Sequence, residues 1–230
     1  MNSFGVGIRI VVLFGLAWAF FGPKAANADL LPKTCGVVLA AQMASEPMVS
    51  LSRPLPYLKQ DCNGKCGPTS LAIALVHFGK LGGSMDPFAV SNQVTEIVYG
   101  VLKSTSPNPL AIDLDPIARS VGLNASTTLA LTAQQFGLFA RAEMASFSQL
   151  ATHVANQEVV LVHWWQGPGP ADYHWSVLQG IGPSVIHLRD PWPEDPYDNF
   201  QSLYDFQNRS STGSPGLYNV VRISDRPIAF

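Results

Sequence analysis

The chain has 230 residues, with 14 Lys and Arg against 16 Asp and Glu, a formal net charge of −2, and 13% charged residues overall. It offers no basic run for a nucleic-acid backbone to contact, so nucleic acid is not an expected partner. No repeat or low-complexity stretch appears, and 19 Gly with 18 Pro point to a compact, loop-rich exported protein.

The first residues read as a targeting segment. Arg9 is the only charge before Lys24; Ile10 to Phe21 is an unbroken apolar run, followed by Gly22-Pro23 and Ala26-Asn27-Ala28. A charged start, a short apolar core and an A-x-A end are the pattern of a secretory signal peptide. The run is shorter than the ~20 residues that span a bilayer. The expectation is a signal peptide over residues 1–28, cleaved to leave a periplasmic or secreted protein with no stable membrane association. An uncleaved N-terminal anchor is the alternative.

Cys35, Cys62 and Cys66 all lie beyond that segment. In an oxidising compartment an odd count leaves one thiol unpaired or reactive. A Cys35–Cys62 disulfide with Cys66 free is the economical arrangement; Cys62–Cys66 pairing is the rival, and would block thiol chemistry. No second cysteine pair or histidine pair follows, so neither a metal nor another cofactor is expected.

Residues 29–53 are expected as an irregular N-terminal segment, with a single domain over 54–230. Gln60-Asp61-Cys62-Asn63-Gly64-Lys65-Cys66-Gly67-Pro68-Thr69-Ser70 then runs into Leu71-Ala72-Ile73-Ala74-Leu75. Pro68 suits the first turn of a helix, Leu71, Leu75 and Phe78 recur at helical spacing, and Gly79 is the expected stop. Cys66 therefore stands at a helix mouth, where unpaired N–H groups and a partial positive charge favour an anion. The anion a cysteine supplies is a thiolate, the form that attacks carbonyls. Gln60, six residues upstream, is the candidate donor to the oxyanion such an attack creates.

A second helix is predicted from Asp86-Pro87, burying Val90, Val94, Ile97, Val98 and Val101, a third from Asp115-Pro116 to Gly122, and a fourth opening at Ser146 or Ser148 and carrying Leu150 and Val154. Val159 to Trp165, continuous, apolar and rich in β-branched and aromatic residues, predicts a buried strand. Gln166 to Ala171 is a loop. His174–Gly180 and Ser184–Asp190 read as two further strands joined through Gly182-Pro183. Helices first and strands after predict an α+β domain of two lobes with a cleft between them.

The hairpin's register follows from its apolar residues. Placing Gly180 opposite Ser184, Leu178 opposite Ile186 and Ser176 opposite Leu188 gathers Leu178, Ile186 and Leu188 on one face, with His174 opposite Asp190 at its open end. His174 is then the candidate base and Asp190 the group that orients it and stabilises its cation. Trp164, Trp165, Tyr173 and Trp192 fall around the same cleft, as groove walls or as core. Of the other histidines, His163 is expected in the core, His77 against the last carbonyls of the first helix, and His153 and His187 on the surface. Asn124-Ala125-Ser126 and Asn208-Arg209-Ser210 match the glycosylation sequon.

The order Gln60, Cys66, His174, Asp190 resembles that of the papain-like cysteine peptidases. Gln60-x5-Cys66-Gly67-Pro68-Thr69-Ser70-Leu71-Ala72 with a Phe78-Gly79 helix end, Tyr173-His174-Trp175-Ser176-Val177-Leu178-Gln179-Gly180, and Leu188-Arg189-Asp190-Pro191 look like the bacteriocin-processing (double-glycine) peptidases and their stand-alone relatives. The resemblance implies a papain-like fold, with an N-terminal helical lobe and a C-terminal antiparallel β lobe. It implies Cys66 as nucleophile, His174 as base, Asp190 as orienter and Gln60 as oxyanion donor, acting on a peptide or protein substrate. An exported, stand-alone hydrolase is what carries over, rather than cleavage of double-glycine leaders. An acyl transferase or amidase on the same scaffold, or a non-catalytic binding module, is the alternative.

Overall fold

The computed structural model describes residues 47–61, 64–82, 86–166, 173–192, 198–210 and 212–228. The expected signal segment, Cys35, Cys62 and most of the 166–171 loop lie outside the described residues. Among the described residues no helix is long and apolar enough to cross a membrane.

Helix α1 (Cys66–His77) begins at the cysteine itself and ends before Gly79, whose φ of +67° is a left-handed conformation that suits glycine. Leu71, Ala72, Ile73, Ala74 and Leu75 have no exposed surface, as befits a helix that is apolar all round and buried on every side. Helix α2 (Pro87–Thr105) is capped by Asp86, whose carboxylate accepts from the Phe88 N–H. It buries Val90, Val94, Val98 and Val101, while Ile97 is only half-buried. Helix α3 (Pro109–Leu114) was not anticipated. Helix α4 (Pro116–Leu123) follows its Asp115 cap, and α5 (Ser126–Gln135), also unanticipated, comes directly after.

The strands are β1 (Val49–Ser50), β2 (Phe139–Ser146), β3 (Val159–Trp165), β4 (Tyr173–Ile181), β5 (Val185–Arg189), β6 (Asp198–Ser202) and β7 (Leu217–Ser224). Helix α6 (Phe147–Ala155) starts after Ser146 and buries Leu150 and Val154 as expected; α7 (Leu203–Gln207) is a short turn of helix. The sheet order is β2-β7-β3-β4-β5-β6, all antiparallel, with β1 added to β4. The α+β class is therefore as expected. The chain-order reading missed β2, which departs from the helical half and pairs at the sheet edge with β7, the last strand.

The segment before Gln60 is not wholly irregular. Val49 and Ser50 pair with Ile181 and Gly180, and a Cβ on Gly180 would meet the Ser50 hydroxyl at 2.6 Å, so only glycine lets the two backbones approach. Leu51, Leu55 and Leu58 then anchor the strap to the core.

The β4–β5 register differs from the expected one. Leu178 lies opposite Leu188 and Val177 opposite Arg189, a slip of two residues; at the tip Gly180 lies opposite His187 and Ile181 opposite Ile186, with a bulge between Leu178 and Gly180. The extra residue of a bulge shifts the ladder without being visible in apolar patterning. A two-residue slip preserves faces where a one-residue slip would exchange them. His174 and Asp190 are thus not directly opposed, yet both still project to the face that carries Ser176, Leu178 and Leu188.

Candidate active site

Four elements meet at one end of the sheet: the strap before α1, the α1 N-terminus, the start of β4, and the segment after β5. Between the helices and the sheet lies a cavity of about 1020 Å³ whose walls include Gln60, Cys66, Asn124, His163, His174 and Trp192. All four residues singled out from the sequence are buried, and three of them line the cavity.

Cys66 is the first residue of α1 and carries a free, buried thiol. Its helix packs on β4, where the Ser70 hydroxyl donates to the Trp175 carbonyl. His174 Nε2 lies 2.8 Å from Asp190 Oδ1, and Cys66 lines the same cavity wall, which leaves Nδ1 as the nitrogen available to the sulfur. Burial disfavours the imidazolium, but the hydrogen bonds and charges of Asp190 and Cys66 outweigh it and push the His174 pKa up to about 10.

Asp190 is fully buried and well furnished with partners. Oδ1 accepts from His174 and from the Trp192 N–H at 2.9 Å; Oδ2 accepts from Asn199 Nδ2 at 3.2 Å and the Ser176 hydroxyl at 3.5 Å. Burial raises its pKa, but these bonds, the one to His174 foremost, hold it below the ordinary carboxylate value. Trp164 Nε1 donates to the Ser176 hydroxyl at 3.0 Å, and the Trp164 and Trp192 rings stand edge-on to the His174 ring at 6.0 and 6.1 Å. Trp164 is therefore core that braces the histidine, whereas Tyr173 and Trp192 line the cavity.

Gln60 is buried in the cavity wall, its backbone N–H donating to the Pro191 carbonyl at 2.8 Å. Asn124, read from the sequence only as a sequon, reaches into the site. Its Oδ1 accepts from the Gly67 N–H at 2.8 Å and lies 3.5 Å from Cys66 Sγ, while Nδ2 donates to the Gly64 and Ser120 carbonyls at 3.0 and 2.9 Å. No local spacing joins Asn124 to α1, so nothing in the primary sequence announced it.

The other histidines lie differently from what the sequence predicts. His163 is not a core residue: half-buried, it lines the cavity and stacks on Trp175 at 4.8 Å, and burial together with the charge of His174 lowers its pKa to about 4. His153 is buried between Glu143 and Glu158, beside Arg222, and His187 is buried against Asp198 at 2.7 Å and stacked on Phe200. Neither is a surface residue, because side chains of β2 and β7 cover His153, and Asp198 and Phe200 of β6 cover His187. His77 ends α1, where its ring stands edge-on to Phe78 at 5.1 Å and burial lowers its pKa.

The fold and site thus define an α+β domain with a cysteine at a helix mouth and a histidine–aspartate pair lining one cleft. No family model and no curated protein matches the chain. Among solved structures it is similar to a double glycine motif protease from an AMS/PCAT transporter, crystallised in complex with the leader peptide, at 17% identity over 78% of this chain and 100% of that one, with a TM-score of 0.46. It is also similar to the peptidase domain of Streptococcus ComA, a bifunctional ABC transporter involved in a quorum-sensing pathway, at 17% identity over 74% of this chain and 100% of that one, with a TM-score of 0.49. Both scores fall below 0.5, so what the site can do follows from its own residues.

Proposed function

We propose that the chain is an exported cysteine peptidase that hydrolyses peptide bonds, with Cys66 as nucleophile, His174 as base and acid, Asp190 as its orienter and Gln60 as an oxyanion donor. The observation that carries this reading is that Cys66, at the mouth of α1, and His174 line one cleft, with His174 bonded to a buried, four-partnered Asp190. Export rests on the signal-like residues 1–28.

For attack, the Cys66 proton passes to His174, which leaves a thiolate beside an imidazolium. The sulfur attacks the substrate carbonyl carbon, and the negative oxygen that forms is held by the Gln60 side chain and the Cys66 N–H at the helix mouth. His174 gives its proton to the leaving amine as the C–N bond breaks, which leaves a thioester on Cys66. A water, deprotonated by His174, then cleaves the thioester, releasing the acid and restoring the pair. Asp190 stays ionised throughout and holds the ring with Nδ1 towards the sulfur.

The test is cleavage of a peptide library by reduced protein lacking residues 1–28, read by mass spectrometry. Wild type should cleave, and Cys66→Ser and His174→Ala should lose about 10⁴-fold or more in kcat/KM. Full activity in Cys66→Ser would sink the proposal. Products joined to an added amine, with little free acid, would convert it to acyl transfer.

A further inference from the structure

Lys59 is 2% exposed, a rare position for an ammonium group, and the chemistry above does not use it. Its Nζ donates to the Asp190 carbonyl at 3.0 Å and to the Trp192 carbonyl at 2.5 Å. The next residue, Gln60, donates its backbone N–H to the Pro191 carbonyl at 2.8 Å. Two consecutive residues therefore hold three consecutive carbonyls. One of the two carries the proposed oxyanion donor, and the segment they hold carries the carboxylate that bonds His174. The Trp192 N–H, turned back by the same segment, donates to Asp190 Oδ1.

An apolar side chain would fill this space without the cost of desolvating a charge. What the ammonium adds is two directed donors that reach carbonyls on either side of Pro191. We infer that Lys59 is a positioning residue: it fixes the Asp190 carboxylate and the Gln60 strap relative to each other, and so governs Cys66 reactivity without touching the reacting atoms. The inference rests on the roles proposed for Asp190 and Gln60. It gives the strap a part in the chemistry beyond delivering one amide.

The experiment compares wild type, Lys59→Met, Asp190→Asn and the double variant as reduced protein. The primary readout is the iodoacetamide alkylation rate at Cys66, followed by peptide mapping at pH 6; kcat and KM on a cleaved peptide are the second. Lys59→Met should slow alkylation about tenfold in the wild-type background but by less than about twofold in Asp190→Asn, because two residues acting through one group are not additive. The same variant should lower kcat with KM little changed. A purely structural lysine would lower the melting temperature and leave the alkylation rate of the folded protein alone, which would overturn the inference. So would slowing that multiplies in full with Asp190→Asn. If wild type cleaves no peptide yet Lys59→Met slows alkylation, the peptidase reading fails and the positioning role stands. If wild type cleaves and Lys59→Met changes neither rate, the positioning role fails. Should Lys59→Met not fold, Lys59→Gln, which keeps a donor but neither the charge nor the reach, is put through the same comparison.

Discussion

Asn124 Oδ1 accepts the Gly67 N–H at 2.8 Å and stands 3.5 Å from Cys66 Sγ, whereas Lys65, at the N-cap of α1, makes no side-chain cap of its own. A side chain from the α4–α5 junction therefore closes the helix end that carries the sulfur. Asn124→Ala removes an acceptor and two donors at once and should cost ~1–3 kcal/mol in a urea melt. Asn124→Asp keeps the acceptor but sets a carboxylate beside the sulfur. It should slow Cys66 alkylation more than Asn124→Ala does.

Gly67 gives a sharper steric test. A Cβ there would lie 2.5 Å from Asn124 Oδ1 and 3.2 Å from a Leu129 methyl carbon. Alanine elsewhere in a helix favours the fold by ~1 kcal/mol over glycine. Here Gly67→Ala should reverse that sign, lowering the melting temperature and displacing Asn124 from the helix mouth, with a fall in Cys66 alkylation in the folded protein.

The alkaline limb of activity belongs to His174. With its pKa raised to about 10, the imidazolium should persist well past neutrality. A kcat/KM profile should therefore fall only towards pH 10, and not near the ordinary histidine value. Asp190→Asn removes one of the largest influences raising that pKa, so the limb should move acidward by about one pH unit or more. An unmoved limb would take His174 out of the role assigned to it.

The same histidine contributes to stability with a definite sign. Its folded pKa lies above the unfolded one, so its contribution is complete below about 6.5 and is lost as pH rises towards 10. His163 runs the other way: with a folded pKa of about 4, it lets the unfolded chain bind the extra proton, and stability is lost as pH falls from about 6.5 to 4. His163→Gln should flatten the acid side of a melting-temperature profile over that window. It should leave the alkaline side, governed by His174, in place.

How far the sequence could be read depended on the range of the interaction. Helix α1, the Asp86 and Asp115 caps and strand β3 carry local signals, namely periodicity, capping residues and a β-branched run, and they form where those signals placed them. Cys66 and His174 line one cavity and His174 bonds Asp190, by a ladder two residues away from the one apolar patterning selects. The bulge at Gln179 coincides with the β1 crossing and with Leu55, whose N–H donates to the Gln179 side chain at 2.9 Å. Both partners are more than a hundred residues away, beyond what patterning within one hairpin can report. Asn124 and Lys59 were missed for a similar reason, since each acts on a partner from a distant part of the chain, whereas Asn199 reaches Asp190 from the neighbouring strand β6.

Asn124 also begins one of the chain's two sequons, with Ala125 and Ser126 completing it. In the folded domain its amide nitrogen is committed to two carbonyls. Oligosaccharide transfer in a eukaryotic secretory host acts on that same nitrogen and adds a bulky group there. A glycan added before the domain closes would leave the mouth of α1 without its clasp and the sulfur without its neighbour. Material secreted from yeast or mammalian cells should then divide into a glycosylated, poorly reactive population and an unmodified, reactive one, and the choice of expression host would decide how active a preparation looks.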